Sequence, residues 1–241
     1  MSLDKFLKKD EFLHDREAML MHKLVFDCRL AFAKNNCRLQ VLTGEVDHNG
    51  FDVVFDDGDT WKRFQVKVVY GKTATWEIHK RLLRPTPNVA DYFGYECSPE
   101  GIGICGGVIL QELNLDKLGE LTVKYRYTDL DILRAFNLGI IKRKHGKSNK
   151  AVSGLFDALK MGYGEISVPK GAFLEARGPE ELMALAGFNT CDCGPWIVWT
   201  RWISALRGGF IRPEAITLPA EEEKTKELIR ESLLKLTTES V

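Results

Sequence analysis

The chain has 241 residues, and its 34 basic and 34 acidic side chains give a formal net charge of zero at pH 7. With 44% hydrophobic and 10% aromatic residues, it has the composition of a globular protein that can bury one large core. No run of eighteen apolar residues is present and the first residues are charged, which argues against a transmembrane helix or a signal peptide. We therefore expect a cytoplasmic protein with no membrane partner, and reduced thiols at its six cysteines.

The first predicted element is a helix from about Lys9 to Lys34. On a wheel of about 100° per residue that starts at Leu13, one apolar stripe is formed by Leu20, Met21, Leu24, Cys28, Ala31 and Phe32. Glu17 falls inside this stripe. A buried carboxylate needs a metal ion or a lysine as partner, because an unpaired charge there costs several kcal/mol. The alternative is that Glu17 lies at the end of the stripe and reaches solvent.

Alternating apolar residues then predict a hairpin of two antiparallel strands. The apolar positions are Phe51, Val53 and Phe55 in the first strand and Phe64, Val66, Val68 and Tyr70 in the second, with Asp57, Gly58 and Asp59 in the turn. Gln65 and Lys67 fall on the opposite face of the second strand. A four-residue loop would set Asp52 across from Gln65, and a three-residue loop would set it across from Phe64.

A carboxylate, a side-chain carbonyl and an ammonium that face one point suit a hard cation and a water molecule. Asp52, Gln65 and Lys67 are therefore candidate site residues. Two other interpretations remain open for them. They could form the solvated outer face of a hairpin, or Asp52 and Lys67 could form an ordinary cross-strand ion pair in a metal-free interaction protein.

The order of a helix with Glu17, a strand with Asp52, a turn and the strand segment Gln65-Val66-Lys67 resembles the PD-(D/E)XK nuclease superfamily, in the variants that carry Gln at the second acidic position. The resemblance implies an α/β restriction-endonuclease-like fold, with a central mixed β-sheet flanked by helices. It also implies Mg²⁺ or Mn²⁺ at Asp52, Gln65, the carbonyl of Val66 and often Glu17, with Lys67 orienting or activating the attacking water.

Two positions depart from that family pattern. Phe51 stands where the family name has Pro, a common change. Gln65 replaces a carboxylate, which removes one negative charge from the metal site. Either Glu17 or Glu45 must then supply it, or the site binds metal weakly or not at all.

Basic residues gather in a few places even though the net charge is zero. Arg63, Lys80, Arg81 and Arg84 surround the hairpin and the next strand, and the segment IIKRKHGKSNK adds Lys142, Arg143, Lys144 and Lys147. This segregation predicts a basic cleft in which these eight side chains contact a nucleic acid. The alternative for the last four is a solvated loop.

Further elements follow the hairpin. ATWEIHKRLLRP is a strand or the entry to a helix, LTVKYRY is a strand, and Asp129 is expected to cap a helix over 130–136. Helices are also predicted over 150–160, from Pro179 to Ala186, and from Ala220 with an apolar stripe that could dock on the core or on a second subunit of a homodimer. We expect a nuclease-like core over 1–130 and a mainly helical extension over 131–241, or one continuous domain.

The function that these patterns favour is a metal-dependent nuclease that hydrolyses phosphodiester bonds, most plausibly an endonuclease on double-stranded DNA. Another class of function is a catalytically inactive nucleic-acid-binding or assembly module with the same fold. Gln65 is the residue that points to this second class.

Overall fold

Two β-sheets organise the part of the chain that this computed structural model describes, namely residues 3–43, 50–69, 73–93, 95, 99–116, 119–142, 152, 154–188 and 222–238. The strands are β1 (Gln40–Thr43), β2 (Val53–Asp56), β3 (Trp61–Val69), β4 (Thr75–His79), β5 (Gly107–Leu115), β6 (Leu121–Asp129), β7 (Glu165–Pro169) and β8 (Leu174–Glu175). The main sheet has the order β1-β2-β3-β5-β6-β8, and β4 pairs with β7 in the second. Among the described strands, only the β3–β5 pair is parallel.

Helices flank this mostly antiparallel mixed sheet, as expected for an α/β protein. They are α1 (Leu3–Lys8), α2 (Leu13–Lys34), α3 (Lys80–Leu83), α4 (Pro87–Phe93), α5 (Leu130–Asn137), α6 (Pro179–Leu185) and α7 (Glu222–Leu236). The segment ATWEIHKRLLRP was expected to be a strand or the entry to a helix, and it contains both: the strand β4 is followed directly by the helix α3. In the described part of the chain, no helix combines the length and the apolar character needed to cross a bilayer.

The hairpin of β2 and β3 has a four-residue loop. The register runs from Asp56 opposite Trp61 to Val53 opposite Phe64, which leaves 57–60 as the connection. Gly58 adopts a φ of +96°, a left-handed conformation that glycine tolerates without steric cost. Of the predicted apolar face, Val53, Phe55 and Phe64 are fully buried, while Phe51, Val66 and Val68 are partly buried. Tyr70 lies outside the described residues.

The apolar stripe of α2 packs on the main sheet. Leu20, Leu24, Cys28, Ala31 and Phe32 are buried, and Met21 packs against the core, so the predicted stripe is confirmed. The expectation that Glu17 lies in the buried stripe is corrected, because 56% of its side chain is exposed. Leu13 and Glu17 are both exposed, so the buried part of the stripe begins at Leu20.

The described residues after position 130 do not form a separate helical layer. β7 pairs with β4 and β8 pairs with β6, so this part of the chain completes both sheets. Its buried side chains, such as Phe188 and Leu233, belong to the same hydrophobic cluster as Phe55 and Leu24. The described residues therefore share one core across the boundary expected at residue 130.

The edge of this core contains a buried ion pair. Lys62 Nζ lies 2.7 Å from Asp129 Oδ2, with both side chains at least nine-tenths buried. The same carboxylate accepts the Tyr127 hydroxyl at 2.7 Å, and its other oxygen accepts the Ile132 N–H at 2.9 Å, which confirms Asp129 as the cap of α5. Burial opposes the charge of Lys62, but the Asp129 carboxylate outweighs it and raises the lysine pKa.

Candidate active site

Asp52 precedes β2 and is fixed by two backbone contacts with β3. Its N–H donates to the carbonyl oxygen of Phe64 at 2.8 Å. Its side-chain Oδ2 accepts the N–H of Val66 at 2.6 Å. The carboxylate is therefore held beside the centre of β3, at the segment that carries Gln65 and Lys67.

Gln65 lies on β3 with only 8% of its surface exposed. Its side-chain oxygen has no hydrogen-bond partner among the described residues. An unsatisfied buried polar group costs about 1–3 kcal/mol, so a polar ligand that reached this oxygen would recover that cost. A solvated outer face is excluded for Gln65 by its burial.

Lys67 follows two residues later and is half-buried. Within the described part of the chain its ammonium pairs with no carboxylate, so the cross-strand ion pair between Asp52 and Lys67 does not form. This alternative is therefore not supported. The charge of Lys67 remains directed to the same cavity as Gln65.

A cavity of about 730 Å³ brings the predicted site residues together. It lies between the N-terminal helices and the main sheet. The helical wall contains Leu7, Lys8, Leu13, Arg16, Glu17, Ala18 and Met21, and the opposite wall contains Thr43, Asp52, Gln65, Val66, Lys67, Val68, Thr73 and Gln111. All five residues predicted for the metal site or the catalytic chemistry thus line one space.

Two cations on the helical wall are held by neighbouring groups. Arg16 Nη1 donates to the carbonyl oxygen of Leu7 at 2.6 Å, which ties α1 to α2. Lys8 Nζ lies 2.8 Å from Asp4 Oδ1. Glu17 reaches the cavity from the same wall, and among the described residues its one ionic neighbour is His14, at 4.0 Å between exposed groups. A pair at that distance and exposure has little energetic weight.

The oxygen donors at the cavity are of the type that Mg²⁺ and Mn²⁺ prefer, namely the carboxylates of Asp52 and Glu17 and the orphaned oxygen of Gln65. The residues therefore fit a hard divalent cation by chemical type. The cavity residues supply only two carboxylates, however. Among the described residues, no group of three or more His, Cys, Asp or Glu side chains is placed to hold a metal.

The predicted nucleic-acid contacts divide into three groups. Arg81 and Lys142 are exposed, and Arg63 and Lys80 are partly exposed. Arg143, Lys144 and Lys147 lie outside the described residues. The prediction that Arg84 contacts a nucleic acid is wrong. The Arg84 side chain is only 2% exposed, and it donates to four backbone carbonyls, those of Leu159, Glu100, Met161 and Gly162.

Arg84 therefore joins distant loops and has no donor directed at a phosphate. The reason is long-range: its carbonyl partners at Leu159 and Gly162 are more than seventy residues away in the chain.

Gln111 is a cavity residue that the sequence reasoning missed. Its Nε2 donates to the carbonyl of Leu20 at 2.9 Å, and its position as the one polar residue in GVILQ was a usable signal.

No protein-family model, curated protein or solved structure matches this chain. The geometry of the cavity is therefore the basis for a functional assignment.

Proposed function

We propose that the protein is a metal-dependent nuclease that hydrolyses phosphodiester bonds in DNA, with the cavity at Asp52, Gln65 and Lys67 as its active site. The observation that carries the proposal is the lining of that cavity. Side chains far apart in sequence, from Glu17 to Lys67, line one space, and the lining residue Gln65 has a buried side-chain oxygen with no hydrogen-bond partner among the described residues.

The order of elements supports a restriction-endonuclease-like fold for this nuclease. A long helix, α2, precedes the β2–β3 hairpin, and the chain then crosses over through α3 and α4 to β5, which is parallel to β3. The candidate site lies on the central strand β3, where the antiparallel hairpin meets the parallel pair. This is the arrangement implied by the resemblance of the Asp52 and Gln65-Val66-Lys67 segments.

In the proposed reaction, Asp52, Glu17 and the Gln65 oxygen would hold Mg²⁺ or Mn²⁺, with the Val66 carbonyl as a further ligand. When bound, a divalent cation stabilises charge on the phosphate and lowers the pKa of water. The N–H of Val66 fixes the orientation of the Asp52 carboxylate before substrate arrives. The Lys67 ammonium orients the attacking water and stabilises the negative charge that develops on the phosphoryl oxygens.

A second candidate is a nucleic-acid-binding module of the same fold without catalysis. The observation that favours it is the small number of carboxylates at the cavity, two where a third would be expected with an acidic residue at position 65. A site with less negative charge binds a divalent cation more weakly. Metal concentration is therefore a variable that the test has to cover.

The test is cleavage of supercoiled plasmid DNA by the full chain over a titration of Mg²⁺ and of Mn²⁺. We expect nicking or linearisation that requires the metal, and at least a hundred-fold loss in Asp52→Asn and in Lys67→Met, because loss of a single catalytic group of this kind costs about 10²–10³ in rate. Gln65→Glu restores a carboxylate and should lower the metal concentration needed for half-maximal cleavage.

Matched controls are Glu77→Gln and Lys34→Met, which remove exposed charges on β4 and α2 away from the cavity. Both should cleave as the wild type does. DNA binding without cleavage at any metal concentration supports the non-catalytic module. Equal cleavage by wild type and Asp52→Asn contradicts the nuclease proposal.

A further inference from the structure

The start of β3 carries an arginine stacked between two aromatic rings. The guanidinium carbon of Arg63 lies 4.5 Å from the ring centroid of Trp61 and 5.4 Å from that of Phe51. Trp61 and Arg63 are two residues apart in the strand and so point to the same side of it. We call these three residues the Trp61 stack.

Packing within the hairpin does not account for the Trp61 stack. Trp61 is the most exposed of the three, with 58% of its surface open to solvent. A cation–π contact at such an exposed site contributes only about 0.5–1 kcal/mol. Large aromatic side chains that remain exposed beside a cation are frequent at binding surfaces.

A second arginine lies close to the stack. Within the described residues no carboxylate forms an ion pair with Arg63. Burial, and after it the positive charge of Arg81, lower the pKa of the Arg63 guanidinium. The exposed Arg81 therefore lies close enough to Arg63 for the two charges to repel each other. Two like charges gathered without a paired carboxylate on Arg63 favour an anionic partner.

The stack also adjoins the cavity. Phe51 directly precedes Asp52, and Arg63 is two residues from Gln65 in β3. Trp61 lies four residues from Gln65, a separation of about 13 Å along a strand. A ligand that contacts the Trp61 stack and continues along β3 therefore reaches the candidate active site.

We propose that the Trp61 stack binds unpaired nucleotides next to the Asp52 cavity, with a base on the exposed Trp61 ring and the backbone phosphates on Arg63 and Arg81. This inference rests on the proposed function, because it takes a nucleic acid as the ligand. It narrows the substrate class to single-stranded or locally opened DNA. The faces of the bases are stacked in an intact duplex, and a protein ring can reach them only where the strand is unpaired.

The experiment measures binding of labelled oligothymidylate to the full chain by fluorescence anisotropy in EDTA, so that cleavage cannot occur. An abasic oligonucleotide of equal length isolates the backbone contribution, and a duplex tests the need for unpaired bases. We expect oligothymidylate to bind at least about five-fold more tightly than the abasic strand, the equivalent of about 1 kcal/mol of base stacking.

Trp61→Leu should abolish this five-fold preference while it leaves the affinity for the abasic strand unchanged. Arg63→Ala should weaken binding of both single strands. Phe26→Leu is the matched control, because Phe26 is an exposed aromatic residue on α2 that does not line the cavity. It should keep the wild-type preference, and unfolding curves establish that each variant is folded.

Failure of this inference and failure of the proposed function are distinguishable. Wild-type affinity for oligothymidylate in folded Trp61→Leu, tighter binding to the duplex, or no oligonucleotide binding overturns the inference, even where the protein cleaves plasmid DNA. A stacking preference that depends on Trp61 supports it, even where no metal yields cleavage.

Discussion

Gln65→Glu tests the metal site through stability, without a measurement of activity. The substitution adds a carboxylate at a position that is 8% exposed, close to Asp52 and with no hydrogen-bond partner for its side-chain oxygen among the described residues. In the absence of a cation, burial and the neighbouring carboxylate raise the pKa of the introduced group. A shift of one to two units lowers the free energy of unfolding at pH 8 by about 1.4–2.7 kcal/mol.

The sign of the pH dependence follows from this raised pKa. Below the ordinary glutamate pKa of about 4.3, the introduced group is protonated in the folded and unfolded states and the loss disappears. The loss develops as the pH rises through the raised folded-state value. The variant should therefore unfold close to the wild type at pH 4 and well below it at pH 8 in EDTA.

Metal should reverse the loss at pH 8. A cation that binds only the folded protein stabilises it by about 2.7 kcal/mol at a hundred-fold excess over its Kd. Because the variant has one more negative ligand, its gain with Mg²⁺ or Mn²⁺ should exceed the gain of the wild type. The assay is thermal unfolding followed by circular dichroism, in which each kcal/mol corresponds to about 2–4 °C for a chain of this size.

The control is Gln40→Glu, because Gln40 is an exposed glutamine on the edge strand β1. It should change the Tm little with or without metal. If Gln65→Glu and wild type gain the same stability from metal at pH 8, the assignment of Gln65 to a cation site is refuted.

Four further predictions concern side chains outside the cavity. Arg84→Met should lower the free energy of unfolding by more than about 3 kcal/mol in urea titrations, because four buried carbonyl contacts are lost. Arg81→Ala should reduce the slope of log Kd against log salt for DNA by about one. Burial raises the pKa of the Glu112 carboxyl group, but hydrogen bonds, led by the one from Lys170, outweigh burial and lower this pKa from its ordinary value of 4.5. The stability that Glu112 contributes should therefore be lost as the pH falls through the lowered pKa, and Glu112→Gln should lack this pH dependence. Asp129→Ala should cost about 3–5 kcal/mol, since it leaves a buried lysine unpaired, and an unchanged urea midpoint would contradict this role.

The hairpin and the α2 stripe were predictable because their signals are local. Alternation of apolar residues and a turn with Gly58 determine the register of β2 and β3 within a few residues, and that register brings Asp52 to Gln65. A helical period needs only the sequence of the helix itself, which is why the buried positions of α2 from Leu20 onward were found.

The remaining features depend on contacts between distant segments. Glu17 is exposed because the first turns of α2 border the open cavity, which the helical period alone does not reveal. Arg84 is buried because three carbonyls more than seventy residues along the chain, together with that of Glu100, surround it, so a basic residue in a basic cluster was wrongly assigned to the surface. The strands β7 and β8 pair with segments about fifty to ninety residues earlier, and no local pattern marks those partners.

The most direct test of the central claim is the rate of plasmid cleavage by wild type and Asp52→Asn at equal DNA occupancy, over the full range of Mg²⁺ and Mn²⁺ concentrations. The account predicts metal-dependent cleavage by the wild type and at least a hundred-fold slower cleavage by the variant. Cleavage that persists undiminished in folded Asp52→Asn, or that proceeds equally in EDTA, would contradict it.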